Sequence, residues 1–157
     1  MGKSQVIDRD KGLKDLTAKV KASKDLILTV GVHGEEGGQS HEGGEGALTV
    51  ADIATVHEYG LGNSPERSWL RGWADENDAA NKEVLRKIGA AVVKRRFSAN
   101  VGLERAGNLF VAQIQTRIAG NIPPPLAPAT ITKKGSSVAL IDKGQFRSSI
   151  RYQVKKV

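Results

Sequence analysis

Three consecutive prolines, Pro123-Pro124-Pro125, restrict this chain more than any other feature. Each fixes φ and withholds an N–H donor, so neither a helix nor a central strand can run through them. Gly120 and Asn121 stand just before them and stop whatever helix precedes. The run itself is predicted to be extended. Pro128 then bends the chain into Ala129-Thr130-Ile131, and Lys134-Gly135-Ser136-Ser137 reads as a loop tip. Asp142-Lys143-Gly144 reads as a turn, in which Asp142 can bond its own backbone two residues on. From Gln145 to Val157 the pattern predicts a closing strand, with Phe146, Ile150, Tyr152 and Val154 sharing a parity from Ile150 onward and Arg151, Gln153 and Lys155 opposite.

Upstream of the prolines the apolar spacing is mostly helical. Leu13, Leu16 and Val20 predict an amphipathic helix over 7–22, with Gly12 weakening its start. Leu26 to Val32 is rich in β-branched residues and predicts a strand. Thr49 to Tyr59 predicts a short helix capped by Thr49, with Asp52 at the positive end of the dipole and Ile53, Val56 and Tyr59 or Gly60 on the buried side. Pro65 to Leu70 is predicted to be extended and to fix the helix that follows. That helix is predicted over 74–97, with Val84, Leu85, Ile88, Ala91 and Val92 as its stripe. Glu83 and Lys87 form an i,i+4 pair on it, and Lys94-Arg95-Arg96 suits its C-terminal end. A second long helix is predicted over 101–119, with Ala106, Phe110, Ile114 and Ile118 on one face. The sum is an α+β fold: a small antiparallel sheet packed against two longer helices, with a long extended loop and a C-terminal strand. A chain of 157 residues is predicted to be one domain, 1–157, with a flexible Gly-rich insertion at about 33–47.

The insertion decides little chemistry. Gly31 to Ala47 holds seven glycines, four glutamates and two histidines. His33, His41 and the glutamates have no helical His-Glu-x-x-His spacing and no rigid frame, so no metal site is predicted. The glutamates would repel phosphate, and no Gly-Lys-Ser/Thr follows, so it is no phosphate loop. Two readings remain: an arm that orders against a partner, or a plain surface insertion. Elsewhere there is no nucleophile elbow, no supported Ser-His-Asp set and no dinucleotide fingerprint. His57 beside Glu58 lacks a third group. No enzyme activity and no cofactor are predicted. The absence of cysteine removes disulfides and thiolate chemistry and fits a reducing cytoplasm. No apolar run reaches membrane-spanning length, and no signal peptide is visible.

Charge is unevenly placed. The net charge is +7, and from Lys133 to Val157 there are seven basic side chains against Asp142 alone. Glutamates concentrate earlier, at 35–45 and 58–76. The two faces could meet between subunits, or the basic end could face nucleic acid.

The stretch after the prolines resembles the C-terminal signature of tailed-phage neck and tail-completion proteins, the minor tail components that join head to tail. The matching residues are Leu126, Pro128, Thr130, Ile131, Lys134, Gly135, Ser136, Leu140, Ile141, Asp142, Gly144, Phe146, Ser149 and Ile150. Lys143, Ala139 and Phe146 stand where threonine, proline and leucine are usual. A second block, Ile53-Ala54-Thr55-Val56-His57-Glu58-Tyr59-Gly60 followed by Asn63-Ser64-Pro65-Glu66-Arg67-Ser68-Trp69-Leu70-Arg71, is similar to the family's His-Glu-Phe-Gly and Pro-x-Arg-Pro-Phe-Leu-Arg pattern. There Ser68 and Trp69 replace proline and phenylalanine.

The resemblance implies an α+β virion protein without catalytic, cofactor or metal sites, assembled in the bacterial host cytoplasm. It implies a homo-oligomeric ring, six- or twelve-fold, joining the head connector or adaptor to the tail tube or terminator and touching packaged DNA only non-specifically. A tail-terminator cap is the neighbouring role. A monomeric basic nucleic-acid-binding domain is the reading from another class. Candidate subunit or partner contacts are Pro65, Trp69, Leu70, Arg71, Pro125, Leu126, Lys133, Lys134, Gly135, Asp142, Gly144 and Phe146. Of these, Trp69, Leu70 and Phe146 read first as core. Candidate lumen or DNA-facing cations are Lys133, Lys134, Lys143 and Arg147.

Overall fold

The structure, a computed structural model, describes residues 12–40, 48–135, 137, 140 and 144–157, and of residues 36, 133 and 134 it describes only the backbone. In chain order the elements are α1 (Leu13–Ser23), β1 (Leu26–Val32), α2 (Gly34–Gly37), α3 (Val50–Tyr59), α4 (Arg71–Val93), α5 (Ala99–Ala119), α6 (Pro128–Lys134), α7 (Gln145–Ser148) and β2 (Ile150–Lys156). β1 and β2 form a two-stranded antiparallel sheet against the helices, an α+β arrangement.

Helix α5 is the centre. Ala106, Phe110, Ile114 and Ile118 recur at every fourth position and are buried, as their spacing predicts. The sheet lies on this helix, with the cross-strand pairs Leu28–Val154, Val30–Tyr152 and Val32–Ile150 on the inner face. Tyr152 lies directly against Gly107, where a Cβ would overlap the tyrosine. On the other side α4 brings Trp73 against Phe110, with ring centroids 5.4 Å apart. Such buried aromatic contacts contribute about 1 kcal/mol beyond area burial.

Several boundaries differ from the sequence reading. The strand over 26–32 is where it was predicted, and Thr49 and Asp52 form a reciprocal capping box at the start of α3. The inward side of α3, however, is Val50, Ala54 and Glu58, while Tyr59 is exposed. A carboxylate is turned into the protein because backbone donors await it there. Helix α4 begins at Arg71, three residues early, and ends at Val93, and Leu85 on its predicted stripe is exposed. Helix α1 keeps no buried residue, and Leu13 is 70% exposed. Its start is tied instead by Arg95, which donates to the Gly12 carbonyl and pairs with Asp15.

The extended stretch after Ile122 stops at Ala127. Pro128 does not bend a loop but opens α6, where a proline's missing N–H and fixed φ suit the first helical position. Gly135 ends α6 in the left-handed region, φ 70°. The predicted strand from Gln145 begins only at Ile150, since Gln145–Ser148 is a single helical turn that seats Phe146 in the core. In the Gly-rich insertion, Gly34–Gly37 is a helical turn, and Ser40 bridges to Thr49. Residues 41–47, including His41, lie outside the described residues.

The Gly107–Tyr152 contact gives a stability test. Gly107→Ala should destabilise the protein by about 1–2 kcal/mol in chemical denaturation, because overlap with the ring outweighs the helix propensity gained. A neutral or stabilising effect would contradict the packing of β2 on α5.

Candidate interface site

The segment between α3 and α4 is short, and it turns Arg67 and Trp69 inward. Glu58, at the end of α3, is 5% exposed. Its carboxylate accepts four hydrogen bonds. The Leu70 and Arg71 amides donate at 2.9 and 3.0 Å, the Ser68 hydroxyl at 3.0 Å and the Arg71 Nε at 2.9 Å. Ser68 Oγ also accepts from the Gly72 amide at 3.0 Å. The first amides of α4, which a helix leaves without internal partners, are thus met by a carboxylate from another helix. Leu70 itself provides no side-chain cap. This explains why α4 starts at Arg71.

Two further side chains lock the loop. Arg67 is 3% exposed and sends Nε and Nη2 to the Pro124 carbonyl at 3.1 and 2.8 Å. Its own amide donates to the His57 carbonyl at 2.7 Å. Trp69 donates its indole N–H to the Ala54 carbonyl at 3.0 Å and meets Phe146 edge-on at 5.1 Å. Arg117 on α5 donates to the Ser68 carbonyl and pairs with Glu76. The 65–71 loop is therefore tied to α3, to α5, to the proline run and to α7.

Electrostatics follow from these contacts. Burial pushes the Glu58 carboxyl up, but the hydrogen bonds from Leu70, Arg71 and Ser68 outweigh it and hold the group below its ordinary value of 4.5. The hydrogen bond to Glu58 raises Arg71, which also bonds Glu66 and lies 4.8 Å from the centre of the Tyr59 ring. Burial lowers Arg67, whose guanidinium faces a carbonyl rather than an acid. Guanidinium is weakly hydrated enough to accept this position where an ammonium would not.

The predicted interface residues separate into three groups. Trp69 and Phe146 are core side chains, 3% exposed each, and offer no surface to a partner. Leu70 packs against that core and Leu126 is half-buried. Pro65, Arg71, Pro125, Gly135 and Arg147 are exposed, with Gly144 half-buried at φ 80° ahead of α7. The side chains of Lys133 and Lys134, and all of Asp142 and Lys143, lie outside the described residues. Sequence reading passed over Glu58 and Arg67 as site residues. The signal for Glu58 was the series Val50, Ala54, Glu58, four apart, two apolar members followed by an acid. Arg67 carried no signal beyond its place in the Pro-x-Arg pattern.

Among the described residues no group of three or more histidines and carboxylates could hold a metal ion. No described helix is long and apolar enough to cross a membrane. No family model, curated protein or solved structure matches the chain.

Replacing the carboxylate tests the clasp. Glu58→Gln retains the shape but faces two backbone donors with an amide, and should cost about 2–3 kcal/mol in urea denaturation. A carboxyl whose folded pKa is lowered contributes stability that is complete above its unfolded value and lost as pH falls through the folded one. Wild-type stability should therefore decline as pH drops below 4.5, and the Glu58→Gln variant should show a shallower decline. Equal acid sensitivity of the two proteins would remove Glu58 from this role.

Proposed function

We propose that the chain is a structural component of a tailed-phage neck, forming a closed ring that joins the head connector to the top of the tail tube. One observation carries this reading. The two sequence blocks that resemble the neck and tail-completion family, 53–71 and 123–150, meet in the folded chain. They join through the Arg67 fork on Pro124 and the Trp69–Phe146 contact. Arg67, Trp69 and Phe146 stand at places of the two patterns and Pro124 just ahead of the second, so two blocks far apart in sequence are joined in the fold.

The protein acts by surface fit rather than by transforming a molecule. A ring of identical subunits uses a heterologous contact, one patch on each copy against a different patch on the next. The clasp holds two exposed loop regions, around Pro65 and around Pro125, in fixed positions. A loop that is already ordered loses less entropy on docking. Subunit contacts are assigned to Pro65, Arg71, Pro125 and Leu126, together with the α6 end at Gly135. Packaged DNA would pass with phosphate contacts alone.

Native mass spectrometry of the purified chain and localisation in purified phage particles test this. The expected result is a closed oligomer in solution and a ring between portal and tail tube in the particle. A ring found only at the tube end, without connector contact, would replace joining with tail termination. A monomer at all concentrations that is absent from particles would overturn the reading.

A further inference from the structure

The C-terminal half of α4 carries a second concentration of charge, distinct from the one at the C-terminus. Between Val84 and Leu103 the sequence holds five cations and no acid. Four of them, Arg86, Lys87, Lys94 and Arg96, surround a hollow of about 400 Å³ floored by Ala90 and Ala91. The fifth, Arg95, turns away to Gly12 and Asp15. Glu83 pairs with Arg86 at 2.6 Å and reaches Lys87 at 3.6 Å. Lys94 and Arg96 have no carboxylate within ion-pair distance among the described residues.

Neutralising the helix end does not account for this much charge. A helix C-terminus presents about half a negative charge. Together with Glu83 that leaves about two and a half positive charges in the hollow. A protein partner held tightly would need an aromatic or large aliphatic anchor, and the lining offers only two alanine methyls. An unpaired strand would need aromatic platforms for its bases, and none lines the hollow. Small residues on the floor and long cations on the rim instead allow a regular row of phosphates to approach closely. Duplex DNA presents such a row at one charge per about 1.7 Å of axis.

We propose that the C-terminal end of α4 and the turn after it bind the phosphate backbone of duplex DNA, without sequence preference, through Lys94 and Arg96 with Arg86 and Lys87 beside them. The lining holds only cations and alanines, with no asparagine or glutamine for adenine and no carboxylate for cytosine, so the proposed contacts are those of cations with phosphates, which position rather than specify. This inference does not require the ring: a monomer would show the same binding.

The test is fluorescence anisotropy with a labelled duplex and the full chain across a salt series. Duplexes of unrelated sequence should bind alike, and log affinity should fall linearly with log salt, with a slope of about −2 to −4. Lys94→Gln with Arg96→Gln should weaken binding at least about tenfold and make the slope shallower by about 2. Lys155→Gln with Lys156→Gln, at the C-terminal strand, should leave both values unchanged. Both double variants change exposed side chains, and circular dichroism melting checks that each folds. Three results would overturn the proposal: no binding at low salt, loss of binding only in the C-terminal variant, or preference for single strands.

Discussion

The carboxylate of Glu58 sits in the protein interior at the mouth of α4, with four donors converging on it. Removing such an ion from water costs several kcal/mol, and an unpaired one would not stay ionised there. Four hydrogen bonds, one from a guanidinium, offset that cost. The bond to the Leu70 amide and that to the Arg71 amide do more than satisfy the acid. They determine where α4 begins, and so where Trp73 falls on the helix. Trp73 in turn sets α4 against Phe110 of α5. A single buried charge therefore fixes the relative placement of α3, α4 and α5.

The same loop extends the constraint across the chain. Arg67 precedes Ser68 by one residue, so once Ser68 and Arg71 are held by Glu58, the guanidinium is directed at Pro124. Trp69, between them, closes on Ala54 and Phe146. The proline run has few backbone donors of its own and gains its anchor from this arginine. Loops around Pro65 and Pro125 are thereby presented in defined conformations. For a protein that works by fitting neighbours, that is the useful consequence of an otherwise costly polar interior.

Local signals were legible in the sequence where local physics decides the outcome. The four-residue recurrence of Ala106, Phe110, Ile114 and Ile118 reads directly as the spine of α5. β-Branched density gives β1 its bounds, and Thr49 with Asp52 gives the cap of α3. Long-range physics was not legible. The start of α4 depends on an acid thirteen residues earlier, which no propensity scale registers. Pro128 can end an extended run or open a helix, and the sequence does not choose between them. Phe146 has the parity of Ile150, Tyr152 and Val154 and so reads as part of their strand, yet it belongs to a helical turn that bends into the core. Leu13, Leu16 and Val20 have the right spacing for a buried face, but Leu13 and Val20 are exposed and Leu16 is only half-buried. Of the interface candidates, the aromatic ones proved to be core, while the prolines are exposed.

A charged, internally bonded Glu58 organises the loop and helix around it. Carbon-detected NMR titration of the Glu58 side-chain carboxyl, with the Leu70 and Arg71 amide resonances followed in the same samples, tests it directly. The carboxyl should titrate below 4.5, and both amide resonances should shift together with it. A midpoint at or above 4.5, with amides indifferent to the titration, would contradict it.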